Sequence, residues 1–367
     1  MSAKSFDSWL DRGDYSFADI SIFRIIYALV TAAFMPSYSW IARFDDAFFR
    51  PPPGPFALLD SFPSALVLNA LDGLIVVAVF FVLVGLFTRT SSIVLALLLL
   101  TGEGLAYSFG KIDHSILFVL APIFMASAGW GNRFSLDAAR KADKSTGKAR
   151  QWILRTFALV VGVAFATGAV PKILGGWLDW STQATYAYQI QRVLRGRSEW
   201  LATPLSTLDV PVVWEMLDWA TIALELGLVL LVVTWPTWRF GLAMATFFHL
   251  GVLLSLNIDF WMNVVAYGAF VKWSAIPTPR IGSALARFSR RKKALICAAI
   301  VWVGIGAILS RGETPLTESF GWLVVVGGAA LAGSYLVYSL VRFVRGDVTG
   351  ELQRLTRRVG LGRRSNA

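Results

Sequence analysis

Cysteine is almost absent from this sequence. Cys297 stands alone, so no intrachain disulfide can form and a cysteine-rich metal site is excluded. Histidine is nearly as scarce. With only His114 and His249, and neither His-x-x-x-His nor Glu-x-x-His on one helix face, the ligand supply for iron or zinc fails. A haem held between the two is a poor fit, because one lies at a span end and the other deep. No phosphate-cradling glycine loop is found: GGAALAG at 327–333 reads as small residues for close helix packing. A nucleophile elbow is missing, as is any internal repeat of the kind that builds two-halved transporters. The first apolar run follows an acidic, polar lead without a basic n-region or an Ala-x-Ala site, so it is not read as a cleaved signal peptide.

Charge is the other shortage. Only 16% of residues are charged against 56% hydrophobic, which excludes an ordinary soluble domain and points to a polytopic membrane protein. Taking roughly 20 apolar residues as one crossing, ten segments qualify, near 20–40, 65–87, 91–110, 114–129, 152–171, 212–234, 238–256, 258–275, 293–310 and 320–342. Alternating them places 26 of the 34 lysines and arginines on one side. The net charge of +11 is thereby explained by topology and anionic lipid rather than nucleic acid, and the positive-inside rule puts both termini in the cytoplasm of a plasma-membrane protein. In the outer loop 41–64, PPPGP reads as a stiff, non-helical turn. The cytoplasmic loop 130–151 opens with Ser135 as a helix cap. The outer loop 172–211 interleaves Trp177, Trp180, Tyr186, Tyr188 and Trp200 with Arg192, Arg195 and Arg197, which suits amphipathic pieces folded over the helix ends.

The stretch FATGAVPKILGGW, 165–177, leaves an apolar run at a Gly-Gly-Trp and so sets Lys172 where hydrocarbon meets water. Such a lysine either snorkels to the headgroups or is held partly desolvated, with a neutral amine available as base or nucleophile. Ionisable residues inside spans are costly and usually face a bundle interior. At about 1.5 Å per residue, Asp72, Glu103 and His249 fall roughly 10–12 Å below the outer surface, and His114 and Lys172 at or just under it. Glu225 falls near the midplane or below, and Arg24 and Arg155 near the inner surface.

The strings KIDHSILFVLAPIFMASAGWGNRFSLDA (111–138), ATGAVPKILGGW (166–177) and FFHLGVLLSLNIDFW (247–261), with ISIFRIIYALV around Arg24 and GLFTRTSS around Arg89, resemble the horizontally transferred transmembrane (HTTM) domain family, related to vitamin K-dependent gamma-glutamyl carboxylase. The similarity runs from about residue 17 to 275, with the pieces in the same order and spacing. It implies that Lys172, followed by Leu174 and Trp177, is the base that starts the chemistry, and that His114 assists in a Asp-His-Ser context, Asp113 standing where the family has asparagine. His249 matches a later-helix histidine without an assigned role. The implied co-reactants are reduced vitamin K or another naphthohydroquinone, oxygen and carbon dioxide, with no metal.

The expectation is therefore an all-α integral membrane protein, a polytopic bundle of about ten transmembrane helices with an outward-facing polar cavity. Its parts are a cytoplasmic segment 1–19, a carboxylase-like core 20–275, two further helices with a basic linker over 276–342, and a basic tail 343–367. Asp72, Glu103, Asp113, Trp177 and His249 are expected to line a quinone pocket served by Lys172 and His114. Its partners are membrane lipids, a lipid-soluble quinone and a peptide or protein substrate outside the cytoplasm, with no nucleic acid. Two other readings stand beside an enzyme: a non-catalytic accessory or immunity protein, and a quinone-binding electron-transfer subunit. The topology is directly testable. In a Cys297-free background, a cysteine at Ala187 is expected to react with an impermeant thiol reagent in intact cells and one at Ala142 is not; the reverse result would invert the orientation.

Overall fold

The computed structural model describes residues 3–110, 115–140, 147–197, 199–276, 301–302 and 316–344. Every named element among them is helical, with one isolated antiparallel bridge between Ser16 and Lys148. The α-helices are α1 (Ala3–Leu10), α2 (Phe17–Ala33), α3 (Ala65–Val84), α4 (Thr88–Ala106), α5 (Ile116–Ala128), α6 (Leu136–Arg140), α7 (Gln151–Leu174), α8 (Ala184–Leu194), α9 (Ala202–Ser206), α10 (Pro211–Leu230), α11 (Trp235–Leu256), α12 (Trp261–Tyr267) and α13 (Leu316–Val344).

Among the described residues six helical stretches are long and apolar enough to cross a membrane: Ala65–Val84, Thr88–Phe109, Gln151–Leu174, Pro211–Val233, Trp235–Leu256 and Phe320–Val344. The spans read from sequence at 20–40, 114–129 and 258–275 correspond to shorter helices, and 293–310 lies outside the described residues apart from Val301 and Trp302. Chain-breaking chemistry accounts for the first shortening, because Pro36 ends the run after α2 and a 3-10 turn, Ser39–Arg43, follows. The segment after α11 is short for another reason. Only Trp261–Tyr267 is α-helical, extended by a 3-10 turn over Gly268–Phe270, yet Lys272 and Ser274 return to the end where α11 began. There the Lys272 ammonium donates to the Asp14 carbonyl (2.6 Å) and the Ser274 hydroxyl to the Asp19 carboxylate (2.7 Å). Partly extended chain covers the same distance with fewer residues. It is tolerated because Trp261, Asn263, Tyr267 and Phe270 are buried in protein, which supplies partners that lipid cannot.

The end at which α2, α7 and α11 begin, here the near end, is tied by backbone capping. Ser16 and Asp19 form a reciprocal capping box at α2. Ala149 N–H donates to the Tyr15 carbonyl (2.9 Å), and the Gln151 amide donates to the same oxygen (2.8 Å). Ser135 caps α6 as its sequence suggested, accepting from Ala138 N–H (2.9 Å), and Asp137 in turn takes the Phe87 and Thr88 N–H groups at the start of α4. Arg24 and Arg155 also work here. The Arg24 guanidinium donates to the Trp130 carbonyl (3.2 Å), and that of Arg155 donates to the Arg12 carbonyl (3.2 Å) while lying 4.0 Å from the Trp235 ring centre.

Packing of α7 against α10 positions the opposite, far end. At Gly162 the helices approach so closely that a Cβ would stand 2.8 Å from the Val229 Cα. Gly162→Val is therefore expected to push α7 and α10 apart and lower stability by about 1–3 kcal/mol. Gly227→Ala on α10, where a Cβ meets nothing within 4 Å, should leave it unchanged or slightly raised. Thermal unfolding in detergent reads both, and equal melting temperatures for the two variants would refute the close contact.

Candidate functional site

Lys172 sits in the last turn of α7, where a cation is favoured by the helix dipole. Its ammonium pairs with the Glu225 carboxylate of α10 and lies 5.4 Å from the ring centre of Trp177. The lysine side chain is 26% exposed and the glutamate 8%, so the pair is open to its surroundings from the lysine side only. Gly168, one turn below Lys172, faces the same carboxylate, 3.9 Å from where its Cβ would be. One Glu225 oxygen accepts from Lys172; the other, Oε2, is buried without a hydrogen-bond partner among the described residues. A buried acceptor left open in this way is costly and calls for a donor.

Depth counting set Glu225 near the midplane or below, well under Lys172. The structure brings their charged ends together, with the Glu225 carboxylate beside Gly168, one turn below Lys172. The first turns of α10 stand beside the loop beyond Leu174, where Asp218 accepts from Ala184 N–H (2.7 Å) and Thr185 N–H (2.8 Å), and Glu215 from Gln183 N–H (3.1 Å). Residues early in α10 thus lie above the end of α7, and a count from its first residue overstates depth. Glu215, Asp218 and Glu225, all buried, follow an i, i+3, i+10 pattern that marks one helix face. That acidic stripe in an otherwise apolar helix was the available signal for the Lys172 partner.

Asp72 and Glu103 are brought together through Tyr38. Asp72 accepts from Tyr38 N–H (2.7 Å), Ser37 hydroxyl (2.7 Å) and Ser39 N–H (3.1 Å), fixing the turn after α2. Glu103 accepts from the Tyr38 phenol (3.0 Å) and the Ser115 hydroxyl (2.8 Å). His114 and Asp113, immediately before Ser115, lie outside the described residues. His249 is buried on α11, with Nε2 2.8 Å from the Tyr267 phenol oxygen and its ring stacked 4.7 Å from that of Phe260. Phe165 of α7 packs 5.9 Å from it. Because Phe165, Gly168 and Lys172 share one face of α7, His249 lies beneath the ion pair, about one helical turn below the Glu225 carboxylate. Trp261, next to Phe260 in the chain, lies with its ring 4.9 Å from Phe34 and 5.4 Å from Phe118. The sequence-derived residues therefore fall into three polar groups, Asp72 with Glu103, Lys172 with Trp177, and His249 with Tyr267. Tyr38, Tyr267 and Glu225 hold them.

Near the surface of the same end, burial lowers the Arg192 pKa from its usual value, helped by the nearby Arg197 and Arg195 and opposed by Glu199. A groove of about 380 Å³ between α3 and α4 is of another kind, lined almost wholly by apolar side chains such as Leu74, Phe81 and Leu98.

A family model for the HTTM domain matches residues 14–273, which include α2 through α12. No curated protein and no solved structure gives a significant match to the chain.

The ion pair makes a prediction that needs no activity. Lys172→Met leaves the Glu225 carboxylate buried and uncompensated and should lower stability by about 2 kcal/mol, less than for a fully buried pair because the lysine is partly exposed. Lys172→Met combined with Glu225→Gln should recover much of that loss. Additive effects in this double-mutant cycle, read by thermal unfolding, would mean that the pair contributes nothing.

Proposed function

This chain belongs to the HTTM domain family, and on that premise we propose that it is a membrane-embedded, vitamin K-dependent carboxylase-like protein in which Lys172 is the general base. The reaction is quinol-linked carboxylation or epoxidation at the outer face of the plasma membrane, both termini being cytoplasmic. The observation that carries the reading is the Lys172–Glu225 pair at the last turn of α7, with one carboxylate oxygen unused.

A reduced naphthohydroquinone fits what these residues offer. It is flat and apolar with a hydroxyl at each end, and the site presents a hydrogen-bond acceptor in Glu225 Oε2, an aromatic wall in Trp177, and exposed Val170 and Leu174 on the lipid side of α7. When bound, that group would supply the reducing equivalents that, with oxygen, generate a base strong enough to remove a carbon-bound proton ahead of carbon dioxide. The protein's part is proton management. Once a bound quinol covers the open, lysine side of the pair, the Lys172 proton would pass to Glu225, and the pair would become a neutral amine beside a neutral acid, a form that drying favours over two charges. The free amine would then accept a hydroxyl proton, and Glu225, now protonated, would donate a hydrogen bond to the oxygen left charged. Trp177 excludes water from the amine. Asp72, Glu103, Asp113, His114 and His249 are assigned to the surrounding pocket, His114 as an assisting group. A peptide or protein substrate would be held by the 172–211 loop or by a partner protein.

A second reading is favoured by the same pair. An ammonium closed onto a carboxylate also serves as a plain structural tie between α7 and α10, as a non-catalytic accessory or immunity protein would need. Substitution separates the two. Lys172→Arg keeps the charge, but guanidinium does not deprotonate in a protein. Oxygen-dependent conversion of a reduced naphthoquinone to its epoxide by the purified protein is expected to fall at least about 100-fold in both Lys172→Arg and Lys172→Ala, while Lys172→Arg unfolds like wild type. Turnover that persists in Lys172→Arg would overturn the base assignment, and no turnover with any quinol would put the accessory role ahead.

A further inference from the structure

The loop after α7 lays α8 and α9 across the far end of the bundle. Arg192 at the end of α8 donates from Nε to the Leu256 carbonyl (2.7 Å) and from Nη2 to the Asn257 carbonyl (2.9 Å). It thereby closes the open carbonyls at the α11 C-terminus. The chain then turns at Gly196, whose φ of +78° favours glycine, and the Arg197 N–H comes back to the Arg192 carbonyl (3.0 Å). Arg195 and Arg197 leave this turn exposed.

The fold makes use of one guanidinium here and presents the other two. Both are close enough to Arg192 to disfavour its charged form. The nearby acid, Glu199, accepts from the Asn257 amide (2.6 Å) and offsets only part of three positive charges. Beside the turn stand apolar side chains: Leu194 is 81% exposed, and Trp200 and Leu201 are about half exposed. Guanidinium groups next to exposed leucine and tryptophan, at the end of membrane-length helices, match one chemistry best. Arginine takes phosphate oxygens bidentately, while tryptophan and leucine sit in the boundary between headgroups and acyl chains. A free phosphate would make no use of that apolar flank.

We propose that Arg195 and Arg197, with Leu194, Trp200 and Leu201 beside them, bind the phosphate of an anionic lipid headgroup in the leaflet at this end of the protein. The site is separate from the Lys172–Glu225 pair and does not depend on any activity there.

Native mass spectrometry of the full-length protein in detergent, with phosphatidylglycerol, phosphatidylcholine or inorganic phosphate added, tests it. Wild type is expected to hold phosphatidylglycerol about tenfold more tightly than phosphatidylcholine. Arg195→Ala/Arg197→Ala should lose that preference, and Arg140→Ala, an exposed arginine at the near end, should keep it. The proposal fails if the double variant retains the preference or if Arg140→Ala loses as much. It fails equally if inorganic phosphate or an acidic peptide displaces the lipid at matched concentration.

Discussion

At Gly162 the backbone of α7 comes so near α10 that no side chain fits between them. Such contact is how helices associate where lipid is as apolar as leucine and hydrophobic burial between helices gives little drive. Further along, nearly three turns on in α7 and one turn back in α10, the same pair of helices faces Lys172 with Glu225. The close approach sets the distance between the helices, and the ion pair uses it. Without that approach two charged groups would be left in a region where each needs water or the other.

The far end is completed by groups that a membrane interior would otherwise punish. Carboxylates of α10 are committed to the backbone N–H groups that open α8, and Arg192 to the carbonyls that close α11. Each is a charged side chain answering the unmet hydrogen-bonding groups of a helix terminus. The result is a lid of short amphipathic helices seated on polar contacts, over a bundle whose interior is mostly apolar and aromatic. Beneath it, His249 stacks on Phe260, and the next residue, Trp261, packs its ring against Phe118 and Phe34.

The near end shows the same logic, with Asp137 on the N–H groups that open α4 and arginines on carbonyls. Arg24 and Arg155 are buried, and both spend their donors on loop carbonyls rather than on carboxylates. They close irregular backbone that has left its helices, and this ties the first residues of the chain to the loops before α7 and α11. Two arginines read from sequence as interfacial are thus structural at this end, whereas the lysine at the other end has an acid for its partner.

Composition and periodicity by themselves determined the helical class and the membrane setting, and a few motif strings carried the resemblance to the family, because long apolar runs and local strings are properties of contiguous residues. The Ser135 cap, the helical pieces of the 172–211 loop and the unusual placement of Lys172 were legible for the same reason. What only the tertiary structure decided is who meets whom. Glu225 lies 53 residues from Lys172, and the depth at which it sits depends on how far α10 projects past α7, which no count along one helix contains. The shortness of α12 was likewise hidden, since an apolar run reads the same whether lipid or protein surrounds it; only burial by neighbouring helices permits the partly extended chain found there. Grouping Asp72 with Glu103 required the turn that carries Tyr38 between them, a long-range contact made by three helices and set by their packing rather than by sequence distance.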